Sequence, residues 1–323
     1  VNHTLGGIVD RQAERQPARQ ALVYTDRSLR YSYQRFREGT DRVARGLLRI
    51  GVHPGDRVAL WAGNLPEGCI LQIAVAKLGA VLAPLHAASL EELERALRGS
   101  EAKALFFSSP APGFPGAVAE PVRSLLPELE HCPRGQLHSE RFPRLRSIAT
   151  LGEEPYRGVY RFKDLIDLAE AIPKSRLAKL GRRLAPEEAA LLEGYDLLSH
   201  GELIRAAREA IDRLAVVEAD RICFAAPLFQ RLGGQLALGL ATVSGATLVP
   251  LLEPSAEPAL AAVAQERCTI LAAEPALLAE ALQASGRSDS RRQSLRAVLV
   301  APGSPAELRR TIESSWGVVS LSA

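Results

Sequence analysis

Apolar positions follow two alternating rhythms along this chain, a short continuous run and then a helical stripe, and the pair recurs. Residues 21–24 and 28–31 are short strand-like runs around Asp26-Arg27 and predict a hairpin. Ser32 can cap a helix whose stripe is Phe36, Val43, Leu47 and Ile50, and Gly51 ends it. Runs at 57–61, 80–84 and 104–107 predict buried strands. Between them lie a helix from Asn64 and Pro66 to Gly79, and one opened by the Ser89/Glu92 capping-box pattern and ending near Gly99. Alternation with short links predicts parallel strands, because parallel neighbours need a crossover.

Residues 110–133 are proline-rich and aperiodic, which predicts a long surface connection. A strand at 145–151 and helices at 162–171 and 174–184 follow, the last with an Arg/Lys face that reads as solvated. A second series starts at 189–192, and Ser199-His200 opens a helix through Ile204, Ala207 and Ile211. Strands at 221–225, 246–252, 268–272 and 297–301 then alternate with helices at 232–243, 255–265, 275–283 and 305–314, before a strand-like run at 317–321. The expected fold class is α/β: two doubly wound α/β subdomains, with room for a small β portion. The first is expected over 1–185, including the hairpin and the Pro-rich connection, and the second over 186–323. In such sheets ligands sit beyond the carboxyl ends of the strands.

Composition narrows the function classes. The chain has 323 residues, 47% apolar and 24% charged, which excludes disorder, collagen and coiled coil. Its 40 basic and 37 acidic side chains leave +3, too little to imply a nucleic-acid partner. No apolar run reaches the roughly 18–20 residues of a membrane span, and residues 1–10 lack a signal-peptide pattern. Basic charge is almost all arginine; the lysines are Lys77, Lys103, Lys163, Lys174 and Lys179. Methionine is absent, where usage of about 2% predicts about six. Either methionine has been selected out or residues are missing from the sequence. The four cysteines are far apart, with no C-x-x-C pair, and read as small core residues in a reduced, cytoplasmic compartment.

The search for chemistry is mostly negative. There is no G-K-[ST], no G-x-G-x-x-G after a strand and no G-x-S-x-G. His131-Cys132 with His138 reads as an exposed loop rather than a metal site. His200, at a helix start, reads as support for the cap, with a ligand-facing role as the alternative. Two turns stand at strand carboxyl ends: 227–230 with Leu232-Gly233-Gly234, and Ala301-Pro302-Gly303-Ser304. Each is either a place where a ligand approaches the backbone or an ordinary strand-to-helix turn.

With these turns placed, the order of segments resembles the large N-terminal region of an adenylate-forming enzyme of the ANL superfamily, closest to medium- and long-chain acyl-CoA synthetases. Gly51-Val52-His53-Pro54-Gly55-Asp56-Arg57-Val58-Ala59 resembles the family's "G-(I/V)-x-x-G-D-R-V-A". Asn64-Leu65-Pro66-Glu67 resembles "N-x-P-E", and Ala76-Lys77-Leu78-Gly79-Ala80-Val81 resembles "A-x-x-K-x-G-A-V". The opening hairpin (19–24 with 31–33), Leu198-Ser199-His200-Gly201-Glu202-Leu203, Ser244-Gly245-Ala246-Thr247 and Glu266-Arg267-Cys268-Thr269 fall in the expected order.

The resemblance implies an ATP-dependent acid–thiol ligase that uses Mg²⁺ and coenzyme A and acts on an aliphatic carboxylic acid through an acyl-AMP. It implies Gly194 as a remnant of the phosphate loop. Phe229, Gln230, Gly233 and Gly234 are placed beside the acyl or pantetheine channel, and Ala301, Pro302, Gly303 and Ser304 on the adenine side. Three departures stand out. Only Glu193-Gly194-Tyr195-Asp196 separates Leu192 from Leu197, where the family has a Gly/Ser/Thr-rich loop ending in Pro-Lys-Gly. The family's aromatic-His pair is Phe229-Gln230. Its Tyr-Gly-x-Thr-Glu motif, hinge and C-terminal domain with the catalytic lysine are not in these residues. The alternatives are an acyl-AMP ligase loading a carrier protein, an amino-acid adenylation domain, for which no amine-holding acid is apparent, and a degenerate non-catalytic binding module.

Overall fold

The computed structural model describes residues 3–108, 119–227, 237–285, 289–301 and 304–322. They form two units, Val1–Gly7 with Arg37–Glu202 and Ile8–Phe36 with Leu203–Ala323.

In the first unit the apolar runs become β3 (Arg57–Trp61), β4 (Val81–Pro84), β5 (Ala104–Phe107), β6 (Ser147–Thr150) and β7 (Tyr160–Arg161), joined by the hairpin β8 (Ala189–Glu193) and β9 (Asp196–Ser199). Their order is β7-β6-β5-β3-β4-β8-β9, parallel except for β9. The helices of this unit are α3 (Pro66–Leu78), α4 (Leu90–Ser100), α5 (Ala119–Leu125), α6 (Phe162–Leu168) and α7 (Lys174–Gly181). Pro66 pre-sets the first turn of α3, and Gly79 closes it at φ +80°, a conformation that glycine adopts without strain. One core gathers Trp61, Leu93, Leu97, Phe107, Leu125 and Ile148.

The second unit holds β1 (Gln20–Tyr24), β2 (Leu29–Ser32), β10 (Arg221–Ala225), β11 (Thr247–Pro250), β12 (Ile270–Ala273), β13 (Ala297–Val300) and β14 (Val319–Ser322). The order is β14-β13-β12-β10-β11-β1-β2, parallel except for β2. Its helices are α9 (Leu238–Ser244), α10 (Ala256–Glu266), α11 (Pro275–Ala284) and α12 (Ala306–Trp316). Three others, α1 (Leu5–Arg15), α2 (Tyr33–Arg49) and α8 (His200–Leu214), run across the unit boundaries. Every described strand belongs to one of the two sheets, so no separate β portion occurs among the described residues.

The units depart from the expected division at 185/186. The opening hairpin pairs into the second sheet, Leu22 opposite Leu248, and 189–193 pairs into the first, Leu82 opposite Leu191. Alternation along a strand fixes which face is buried and not which sheet receives it, because any sheet edge offers unpaired N–H and C=O groups. The expected connection at 110–133 contains α5, which buries Val122 and Leu125, and a 3₁₀ turn that buries Leu129. Pro121 and Pro127 sit in the first turns of these two elements, where the missing N–H is harmless.

Candidate functional site

In each unit five strands repeat one order, second-first-third-fourth-fifth, with a switch point between first and third. In the second unit that point lies between β10 and β12. Such a point leaves a crevice at the carboxyl edge, because the connections leave it on opposite faces. Ala225, Ala273 and Val300 stand side by side in register at the ends of β10, β12 and β13. At about 4.8 Å per strand, the turns leaving β10 and β13 start about 10 Å apart. Ala225, Ala226, Ala272 and Ala273 are all fully buried, so this edge is lined by small side chains.

Of the expected residues, Ala301 and Ser304 are at this edge, with the Ser304 hydroxyl donating to the Ala301 carbonyl. Pro302, Gly303, Phe229, Gln230, Gly233 and Gly234 lie outside the described residues. Gly194 belongs to the first unit. It occupies, at φ +62°, the two-residue turn between the paired Glu193 and Asp196, and a Cβ there would meet nothing. Backbone conformation therefore accounts for this glycine.

Sequence reasoning missed Glu274. It follows β12 directly, and its Oε1 is buried without a hydrogen-bond partner among the described residues. The available signal was a carboxylate between an apolar strand and Pro275.

The motifs that carried the resemblance prove architectural. Asp56 accepts from the His53 backbone N–H at 2.7 Å and pairs with Lys103 at 2.8 Å, pinning the amino ends of β3 and β5. The Gly55 N–H donates to the Gly79 carbonyl at 2.7 Å. Tyr33 donates its hydroxyl to the Ala246 carbonyl at 2.7 Å, and Gln12 donates to the Thr242 carbonyl at 3.1 Å, which satisfies the carboxyl end of α9. Glu266 receives Arg30 at 2.6 and 3.0 Å and also pairs with Arg221. The Arg30 hydrogen bond, opposed by burial and reinforced by the Arg221 charge, holds this carboxyl below the usual range.

His200 takes the structural role. Ser199 and Glu202 cap α8 reciprocally, at 2.8 and 3.2 Å. The His200 ring instead accepts from the Leu5 N–H at 3.5 Å, at the start of α1. The side chain is fully buried, and burial pushes its pKa down to about 4. The folded protein keeps it neutral while the unfolded chain protonates near pH 6.5. Its contribution is therefore complete above that pH and is lost as pH falls from about 6.5 to about 4, by about 3 kcal/mol. Urea titrations at pH 7 and pH 5 will show a smaller difference for His200→Asn than for the wild type.

Comparison with known proteins fits this architecture. The sequence model of the AMP-binding enzyme family matches residues 9–163 and 197–320. YngI of Bacillus subtilis (strain 168), provisionally named an acyl-CoA synthetase, is 32% identical over 86% of this chain and 52% of its own length. The mouse mitochondrial medium-chain acyl-CoA ligase ACSF2 is 29% identical over 99% of this chain and 54% of its own. The N-terminal domain of FACL13 from Mycobacterium tuberculosis shares the fold, with a TM-score of 0.77 at 18% identity, covering 99% of this chain and 75% of that one. The chain spans about half the length of the curated relatives it matches. A family match over most of the chain, on a fold whose parallel sheets the relatives share, leaves one assignment: the chain belongs to the AMP-binding enzyme family.

Proposed function

We propose that this chain is the large amino-terminal part of an AMP-forming acyl-CoA ligase acting on an aliphatic carboxylic acid. A carboxylate oxygen attacks the α-phosphorus of ATP, the α–β anhydride bond breaks and pyrophosphate leaves. The sulfur of CoA then attacks the acyl carbon, and the bond to AMP breaks. Positioning and charge stabilisation carry most of such chemistry. The observation behind this reading is the register of Ala225, Ala273 and Val300, which starts both ligand turns from one carboxyl edge. The turn 301–304 would flank the adenine, and 229–234 the acyl chain.

The first unit's hairpin does not fit a triphosphate. Two residues between paired strands leave no run of amides to wrap phosphates, and Glu193 and Asp196 repel a polyanion. Among the described residues no three His, Cys, Asp or Glu side chains group to hold a metal, so no step is assigned to Mg²⁺. Under this reading the hinge and the domain with the catalytic lysine lie outside these 323 residues. The hairpin is also what favours the second reading, a non-catalytic module.

Two measurements on the native polypeptide test the proposal. ATP–pyrophosphate exchange dependent on a medium-chain acid supports the ligase, and its absence, with uninterrupted codons across residues 192–197, leaves the binding module. Thioester formation with CoA against a carrier domain then separates the two acceptor classes. In an active protein, Gly233→Trp should shift preference to shorter acids by filling the acyl slot. Unchanged chain-length preference removes Gly233 from the pocket.

A further inference from the structure

The segment left unmatched by the family model, 164–196, contains α7 and the most concentrated positive charge in the first unit. Lys174, Arg176, Lys179, Arg182 and Arg183 lie within ten residues that include no carboxylate. All five are exposed. None has an ion-pair partner among the described residues, whereas Arg98, Arg123, Arg134, Arg141 and Arg161 of the same unit each hold a carboxylate. Lys179 in the last turn, with Arg182 and Arg183 just beyond it, lies where the helix dipole favours cations, but the other two do not serve the helix. Lys174 and Arg176 occupy the first turn, which has no acidic residue, where the helix dipole disfavours cations.

The opposite side of α7 is already used. Leu177 is buried, and Leu184, just beyond the helix, packs so closely on Gly79 that a Cβ there would lie 2.4 Å from its Cδ2. At 100° per residue, Arg176 and Lys179 lie about 60° apart on α7, facing away from Leu177, and Arg182 and Arg183 follow directly where the helix ends at Gly181. With its apolar face committed to the fold, α7 cannot enter a partner's hydrophobic groove as a free amphipathic helix does. Residues 164–194 contain no Phe, Tyr or Trp, so no aromatic ring there offers a stacking platform for a base. What remains is an outward cation array suited to a plane of loosely ordered anions.

We propose that this face of α7 docks the protein electrostatically on an anionic phospholipid bilayer, without insertion. The attachment proposed is peripheral, and no described helix is long and apolar enough to cross a membrane. The proposal goes beyond the ligase reading and stands without it. If both hold, docking brings the enzyme to the surface where aliphatic acids partition.

Co-sedimentation with phosphatidylcholine vesicles, with and without phosphatidylserine, tests it. The protein should bind only the phosphatidylserine vesicles, and lose binding in high salt as exposed charges are screened. Each neutralised cation should weaken binding about fivefold. Arg176→Gln, Lys179→Gln, Arg182→Gln and Arg183→Gln together should therefore weaken it by several hundred-fold with an unchanged melting temperature. The control Arg98→Gln, Arg123→Gln, Arg141→Gln, drawn from paired arginines, should bind within a few-fold of wild type. Three results overturn the proposal: no binding to phosphatidylserine vesicles, a quadruple variant that binds like wild type, or tighter binding to a DNA duplex at matched phosphate concentration.

Discussion

ATP–pyrophosphate exchange by these 323 residues alone will not rise above the buffer blank with octanoate or any other aliphatic acid. Charge develops on the phosphates during acyl transfer to AMP, and each preorganised donor there is worth about 10²–10³ in rate. The β8–β9 turn, which the family resemblance implies as the remnant of the phosphate loop, offers two residues, Gly194 and Tyr195, between Glu193 and Asp196, carboxylates rather than the amides and cation that a phosphate loop supplies. Loss of several donors together takes the rate below detection. The measurement is incorporation of labelled pyrophosphate into ATP, with a complete acyl-CoA ligase as positive control. Exchange clearly above the blank would show that this hairpin is not where the polyanion must be held.

Asp220→Ala will destabilise the second unit by about 3 kcal/mol, lowering its melting temperature by about 10 °C. The Asp220 side chain is buried. It accepts from the Arg296 guanidinium at 3.1 Å, the Thr269 hydroxyl at 2.7 Å and the Val217 N–H at 2.8 Å. These partners precede β13, β12 and β10, so one carboxylate ties the amino ends of the three strands whose carboxyl ends form the candidate site. Burial would raise its pKa, but the hydrogen bonds from Arg296, Val217 and Thr269 and the Arg296 charge hold it below the usual carboxylate range. Its folded pKa being depressed, this contribution is present above about pH 4 and is lost as pH falls through the folded value. Calorimetry should therefore show a large difference between wild type and Asp220→Ala at pH 7 that narrows in acid. Asp220→Asn, which keeps the shape without the charge, should lose less. An unchanged melting temperature for Asp220→Ala would make the amino-edge ion pairs ornamental.

These two predictions separate the ends of one sheet. Ion pairs and caps fix its amino edge, through Asp220, Glu266 and Thr269, and its carboxyl edge carries small side chains and the candidate turns. The motifs most readable in the sequence belong largely to the fixed parts of the fold. Their spacing is local: a Gly that closes a helix, a Ser that caps one, an Asp beside the strand it pins. The chemistry-bearing turns are weaker signals, because what they do depends on which strand end stands beside them.

The sequence by itself determined the alternation of buried strands and striped helices, the central parallel strands from β3 to β5 and β10 to β13, and the family. Burial period and capping are properties of a few neighbouring residues. Only the tertiary structure decided that the opening hairpin joins a sheet whose other strands begin about two hundred residues later, that the His200 ring accepts from the Leu5 N–H at the start of α1, and that Glu274 follows the strand lying between β10 and β13. Those outcomes depend on which distant edge or terminus completes a hydrogen-bonding surface, and a one-dimensional pattern of apolar and polar residues does not specify that partner.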